Sequence, residues 1–219
     1  MKGSRGPAEE RALLVRALKE EGIVRSKAVE DALMDVPREL FVPAEMKDQA
    51  YRDHPLPIGH GQTISAPHMV AIMAEELAAE KGLKVLEIGC GSGYHAAVVS
   101  RLVGREGKVV SIERVPELVA FAKGNLRAAG IENVEVIEGD GSVGYRNGAP
   151  YDRIYYTCAA PDVPREVIEQ VAGNGSILAV IGPKYSSQRL LRLTVRSGKV
   201  STEHLTWCIF VPLLGEKGY

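Results

Sequence analysis

Val85-Leu86-Glu87-Ile88-Gly89-Cys90-Gly91-Ser92-Gly93-Tyr94 is the stretch on which the fold turns. Its mostly aliphatic first four residues give a short buried strand, and glycines at alternate positions then take the chain through a tight turn. A helical run over residues 94–103 follows. The turn therefore ends on a helix N-terminus, whose free N–H groups face whatever lies beyond the strand. Strand, glycine turn and helix in that order open an α/β unit.

The same alternation continues downstream. Residues 109–113 read as a second strand, 115–129 as a helix ended by Gly130, 134–137 as a third strand and 153–156 as a fourth. A further helix over 164–171 and a fifth strand over 177–181 complete the series. Strands alternating with helices at this spacing predict an α/β, doubly wound, mostly parallel sheet with right-handed crossovers. Residues 190–195, the turn Ser197-Gly198-Lys199 and residues 200–211 predict a C-terminal antiparallel hairpin at the sheet edge. Upstream, Leu14, Ala17 and Leu18 recur at helical spacing before Gly22, and Ser26 caps a second helix with the stripe Val29, Leu33, Val36. Residues 41–67 show no sustained period and read as a long ordered loop or short strands, anchored by Tyr51, Leu56, Ile58 and Ile64. Pro67 then opens a helix with Met69, Ile72, Met73 and Leu77 on one face.

The carboxyl ends of the first three strands carry the candidate ligand site. The glycine spacing is GxGxG at Gly89, Gly91 and Gly93, whereas GxGxxG is the pattern that wraps a pyrophosphate. Glu87 before the glycines suits a ligand with an ammonium group and a sulfonium centre and would repel a diphosphate. S-Adenosylmethionine fits, having no phosphates. Glu113 ends the second strand, 20 residues beyond Gly93, where such folds place an acid to accept both ribose hydroxyls. Asp140, ahead of Gly141, follows the third strand and can accept from an adenine amino group. The plain alternatives are a solvated strand-end acid for Glu113 and a turn-forming residue for Asp140. The cofactor set is thus Glu87, Gly89, Gly91, Gly93, Tyr94, Glu113, Asp140 and Gly141.

Composition narrows the class. The chain has 219 residues, enough for one domain: an N-terminal helical and loop region over 8–80, an α/β core over 82–182 and C-terminal strands over 189–213. With 27 Lys and Arg against 28 Asp and Glu, the net charge of −1 draws it to neither nucleic acid nor anionic membrane. No apolar stretch approaches the roughly 20 residues of a spanning helix, and residues 1–10 lack the apolar core of a leader, so a cytoplasmic protein is expected. Cys90, Cys158 and Cys208 show no disulfide or zinc spacing and read as small buried residues. His54, His60 and His68 fit no metal-ligand spacing, so no metal is expected.

The three-part cofactor pattern resembles the class I S-adenosylmethionine-dependent methyltransferases, and with it their Rossmann-like fold. The segment Ala50-Tyr51-Arg52-Asp53-His54-Pro55-Leu56-Pro57-Ile58-Gly59-His60-Gly61-Gln62-Thr63-Ile64-Ser65-Ala66-Pro67-His68-Met69 is similar to the substrate loop of the protein-L-isoaspartate (D-aspartate) O-methyltransferases. Val36-Pro37-Arg38-Glu39-Leu40-Phe41-Val42-Pro43, Thr157-Cys158-Ala159-Ala160-Pro161 and Phe210-Val211-Pro212-Leu213 extend the likeness over nearly the whole chain. Cys158 departs from the family, which usually carries Ala or Gly there.

The resemblance implies methyl transfer from S-adenosylmethionine, leaving S-adenosyl-L-homocysteine, to the α-carboxylate of L-isoaspartyl residues or the side-chain carboxylate of D-aspartyl residues in damaged proteins. The ester then collapses to a succinimide that reopens partly to normal aspartate. It also implies a monomer that meets damaged peptides and proteins. By analogy Ser65 is the active-site position, with Gln62, Thr63 and His68 in the same substrate pattern. A carboxylate is already nucleophilic and a sulfonium already activated, so orientation by Ser65 and Thr63 suffices without a strong base. Each has a plainer reading: helix N-cap for Ser65, surface amide for Gln62, packed or solvated first-turn residue for His68. Val211 lies on a segment that offers either a strand edge for peptide backbone or ordinary core packing. A methyltransferase for RNA or a small metabolite would keep the glycine turn, Glu113 and Asp140 without needing residues 62–68. A dinucleotide oxidoreductase and a non-catalytic binding module are the other classes to separate.

Overall fold

A computed structural model describes residues 5–219; the first four residues, where the segment read as lacking a leader begins, lie outside it. Helix α1 (Pro7–Glu20) opens on a proline, and Gly22 leaves it at φ +74°. Helix α2 (Lys27–Asp35) is capped as expected, the Ser26 hydroxyl accepting from the Val29 N–H at 3.2 Å. A single 3₁₀ turn (Arg38–Leu40) precedes the long loop, which itself resolves into a 3₁₀ segment (Ala44–Gln49) and a hairpin of β1 (Leu56–Gly59) and β2 (Gln62–Ile64). Leu56, Ile58 and Ile64 bury their side chains in one apolar cluster with α1, α2 and the outer faces of the later helices. At about 1.5–3 kcal/mol for each large aliphatic side chain, that burial holds the hairpin against the body of the protein. Helix α3 (Pro67–Leu77) leads from the hairpin into the sheet.

The α/β core follows the alternation read from the sequence. Its elements are β3 (Lys84–Ile88), α4 (Tyr94–Val103), β4 (Lys108–Glu113), α5 (Pro116–Ala128), β5 (Val134–Glu138) and β6 (Tyr151–Ala160). A turn of helix, α6 (Arg165–Ile168), leads to β7 (Val171–Ile181), β8 (Gln188–Arg196) and β9 (Lys199–Cys208). The sheet has seven strands in the order β5-β4-β3-β6-β7-β8-β9. Strands β3 to β7 pair in parallel, while β8 and β9 add the antiparallel hairpin at the edge. The chain builds outward from β3 to β5 and then crosses to the far side of β3 with β6. That reversal opens a crevice beyond the strands' carboxyl ends.

The helix expected over 164–171 is only the four residues of α6, and Val171 already belongs to β7. Gln170 ends it. Its side chain is buried, accepts from the Tyr145 N–H at 2.7 Å and donates to the Val143 and Glu166 carbonyls, while its own carbonyl accepts from Tyr151. Beyond it, Gly173-Asn174-Gly175 offers no apolar face to lengthen a helix. Strand β9 stops at Cys208 rather than 211. Residues 209–213 instead cross back over β6, Ala159 donating to the Val211 carbonyl at 2.8 Å and accepting from Leu213 at 2.7 Å.

Period-two alternation divides the sheet's side chains. Val85, Val109, Tyr155 and Leu178 meet Met73 of α3 and Val99 of α4, whereas Leu86, Ile88, Val110 and Ile154 meet Val163 and Val167. Glu87 and Ser111 share the parity of Val85 and Val109, so they face the α4 side of the sheet.

Candidate active site

The glycine turn leaves β3 with Gly89 at φ +98° and Gly91 at φ +54°. A Cβ at Gly89 would stand 2.6 Å from the Thr157 hydroxyl, so only glycine fits the approach. The Gly89 and Cys90 N–H groups both donate to the Ile112 carbonyl at 3.0 Å, pinning the turn to the end of β4. Glu113 completes it: one carboxylate oxygen accepts from Gly91 at 2.8 Å, the other from Arg114 at 2.8 Å and Val115 at 3.0 Å. The strand-end acid is therefore locked by main-chain donors rather than free in solvent. Gly93 acts differently, its missing side chain letting α4 lie against Ala122 and Leu126 of α5.

One of the expected cofactor residues stands elsewhere, and a second is held by backbone donors. Glu87 is wholly buried and accepts from the Ser111 and Tyr155 hydroxyls, the latter at 2.8 Å. Burial pushes its carboxyl up to about 8, outweighing the two hydroxyl donors. The expectation that Glu87 faces a cationic ligand is corrected by strand parity: the penultimate residue of β3 points into the sheet's face, not beyond its end. Asp140 directly precedes Gly141, which lines the second cavity. Its oxygens accept from the Ser142 and Glu216 N–H groups at 2.9 and 2.7 Å, tying down the C-terminal segment. Burial works to raise its carboxyl, but those donors hold it below the ordinary value.

The substrate-loop residues gather as expected. Ser65 is not the cap of α3; Ala66 holds that position without a side-chain bond, and Ser65 lines the cleft. Its carbonyl accepts from Arg38 at 2.8 Å. Arg38, which sequence reasoning did not single out, is fully buried, also donates to the Ala50 carbonyl at 2.8 Å, and lies 4.8 Å from the centre of the Tyr94 ring. Burial lowers its pKa. The guanidinium thus clamps both ends of the loop to the start of α4, and its place in an apolar run between Val36 and Phe41 was the available signal. His68 is held by Asp53, which accepts from its N–H and its Nδ1 at 2.9 Å each.

Three adjoining cavities meet here. The first is walled by Gln62, Thr63 and Ser65 of the loop on one side and by Gly89, Gly91 and Glu113 on the other, with Tyr94, His95 and Val211 closing it. The second continues past Glu113 to Arg114, Gly141 and Leu214. The third, about 450 Å³, shares Thr63, Ser65, Thr157 and Val211 with the first and opens between His68 and the exposed Tyr185, Trp207 and Ile209. Phe210 is bonded through its N–H and carbonyl to Gln188, and the Val211 carbonyl to Ala159, so most of the expected strand edge is already used. Cys90 and Cys158 both border the first cavity, yet burial pushes both thiols up, away from the nucleophilic thiolate. Among the described residues, no cluster of three or more His, Cys, Asp and Glu is placed to hold a metal ion, and no helix is long and apolar enough to cross a membrane.

The arrangement suits two ligands meeting at Ser65: a narrow cleft with a carboxylate and no Lys or Arg in its first cavity, and an open groove rimmed by apolar side chains. The family model for protein-L-isoaspartate(D-aspartate) O-methyltransferase matches residues 9–218. The protein-L-isoaspartate O-methyltransferase of Hyperthermus butylicus is 51% identical over 96% of this chain and 91% of its own, and that of Methanopyrus kandleri 49% over 95% and 93%. A solved structure named for the same enzyme superposes with a TM-score of 0.85 at 33% identity, covering 95% of this chain and 67% of its own. A Plasmodium falciparum structure, named for the family and holding S-adenosyl-L-homocysteine, superposes at 0.84 with 25% identity over 96% and 99%. Fold, loop and relatives agree over almost the full length, and the chain belongs to the protein-L-isoaspartate(D-aspartate) O-methyltransferase family.

Proposed function

We propose that this protein methylates the α-carboxylate of L-isoaspartyl residues, and the side-chain carboxylate of D-aspartyl residues, in damaged proteins, with S-adenosylmethionine as donor. The observation that carries this reading is the junction of the cofactor cleft with the peptide-sized groove at Thr63, Ser65, Thr157 and Val211. A methyltransferase for a small metabolite has no use for a second, larger, apolar-rimmed groove.

The residues present fit the donor. The cradle at Gly89 admits no Cβ, and the first cavity has no basic side chain to hold a phosphate. Glu113 would hold the ribose, Gly141 and Leu214 would frame the adenine with Asp140 beside Gly141, and Gly89 and Gly91 would line the path between. Bound there, S-adenosylmethionine supplies a methyl group on a positively charged sulfur. The chain's own task is orientation and exclusion of water. The Ser65 hydroxyl donates a hydrogen bond to one oxygen of the substrate carboxylate and leaves the other bare, while Thr63 and Gln62 close the wall behind it. No proton has to be taken from the attacking group. The Asp53–His68 pair sits at the mouth of the groove, where it meets the incoming peptide beside its acidic residue. Tyr185, Trp207 and Ile209 receive the flanking residues.

We read the chain as one methyltransferase domain, a cytoplasmic monomer that acts on polypeptides rather than nucleic acid or at membranes, in keeping with its net charge of −1. Paired peptides test the function. An isoaspartyl peptide should accept labelled methyl on its α-carboxyl while its aspartyl twin does not, and equal labelling of both would overturn the assignment.

A further inference from the structure

His95, the second residue of α4, is 6% exposed, and neither ring nitrogen has a hydrogen-bond partner among the described residues. The ring packs on Tyr155, centroids 4.8 Å apart, and borders the first cavity beside Ile64, Val70 and Tyr94. Burial lowers its pKa to about 3, so the imidazole is neutral at working pH, with one N–H donor and one bare nitrogen. A buried donor without a partner costs about 1–3 kcal/mol, and the cleft is where a partner can come from.

The direction of the cleft says which part of a ligand reaches it. Glu113 stands where the first and second cavities meet, and the second runs on to Gly141 and Leu214. With ribose at Glu113 and adenine beyond it, the amino-acid half of the cofactor extends the other way, to Tyr94 and His95. The same end receives the N-terminus of α4, a helix of ten residues with no side-chain cap at Gly93 and no acidic residue in its first turn. Such an end favours an anion.

We propose that His95 is the residue that recognises the amino-acid end of the cofactor, its ring N–H donating to the methionine α-carboxylate beside the first turn of α4. The proposal rests on the reading of the cleft as the S-adenosylmethionine site. It makes His95 a binding residue rather than a packed core residue, and it places a neutral donor where a Lys or Arg would draw the substrate carboxylate away from Ser65.

Titration calorimetry on the full chain tests it with three probes: S-adenosylhomocysteine, its decarboxylated analogue, and methylthioadenosine, which lacks the amino acid altogether. The wild type should prefer S-adenosylhomocysteine over the decarboxylated analogue. His95→Phe should lower the affinity for S-adenosylhomocysteine about 10- to 100-fold, as expected for a lost hydrogen bond to a charged group. It should leave methylthioadenosine within about threefold, and His95→Gln, which keeps a donor, should recover part of the loss. Unchanged methylthioadenosine binding also shows that the variant is folded. Equal loss of all three probes in both variants, or a preference for the carboxylate that survives His95→Phe, overturns the proposal. If the wild type binds none of the probes, the cofactor reading falls first and this inference with it.

Discussion

Replacing Glu87 by Gln separates a buried structural carboxyl from a cofactor ligand. The wild-type side chain is fully buried between Ser111 and Tyr155, with its pKa raised from 4.5 to about 8. Below pH 4.5 the folded and unfolded chains are both protonated there and the group adds no pH dependence. Between 4.5 and 8 the unfolded chain ionises while the folded one keeps its proton, so stability falls as pH rises, by up to about 1.4 kcal/mol per unit. Above 8 both are ionised and the loss is complete. From pH 5 to pH 9 the expected decline is roughly 4 kcal/mol, which the Glu87→Gln variant, having no proton to lose there, escapes. Its amide meets two hydroxyls that can each donate or accept, so at pH 5 the variant should lie within about 1 kcal/mol of wild type. Urea unfolding at unit steps from pH 5 to 9 measures this. The variant should gain on wild type steadily across the window and keep its affinity for S-adenosylhomocysteine within about threefold. Parallel stability curves, or a tenfold loss of cofactor affinity, would refute the reasoning and return Glu87 to the cleft.

Other substitutions divide the site by role. Ser65→Ala should lower kcat on an isoaspartyl peptide about 10- to 100-fold with cofactor affinity nearly intact, because the lost donor faces a charged carboxylate; steady-state kinetics paired with calorimetry checks it. Glu113→Gln should do the reverse, weakening cofactor binding about 10- to 150-fold through the ribose contact while saturated turnover persists. Gly89→Ala should cost stability of order 1–3 kcal/mol and abolish tight cofactor binding, since its Cβ meets Thr157 at 2.6 Å on a backbone at φ +98°; thermal melts with and without S-adenosylhomocysteine read both. Arg38→Met should raise KM and lower kcat for peptide while leaving cofactor affinity within about threefold. Arg38→Lys should not rescue it, because an ammonium cannot span the Ala50 and Ser65 carbonyls as the planar guanidinium does.

What the sequence disclosed was local. The glycine turn, the alternation of strands and helices and the acid ending β4 each follow from residues within one α/β unit, where periodicity and turn chemistry dictate the chain's path. The edge hairpin was legible for the same reason. Glu87 was misread because its environment depends on register: its hydroxyl partners lie 24 and 68 residues away, on strands that flank β3. Arg38 meets the Ser65 carbonyl 27 residues on, through a fold of the loop that no local pattern specifies. Helix α6 was overdrawn because Val167, Ile168 and Val171 share a helical spacing that the Gln170 side chain and the pairing of β7 override.

The corrections share a physical logic. A reaction between a carboxylate and a sulfonium is sensitive to stray charge: a cation on the cleft wall beside Ser65 would quench the nucleophile, and an anion there would repel it. The fold keeps three ionisable groups close to this point, and none of them presents a charge to the cleft wall. Arg38 is buried behind the loop, where two of its nitrogens donate to carbonyls, Glu87 is turned into the sheet with a pKa pushed up to about 8, and His95 is held neutral by burial. The carboxylate that does border the cleft, Glu113, stands where the first and second cavities meet and is bound by three backbone donors. The rest of the first cavity's wall is glycine backbone and uncharged side chains, which orient without competing. Glu87, Arg38 and His95 are thus residues whose charge the tertiary structure neutralises or keeps off the cleft wall, which register and burial, rather than spacing along the chain, accomplish.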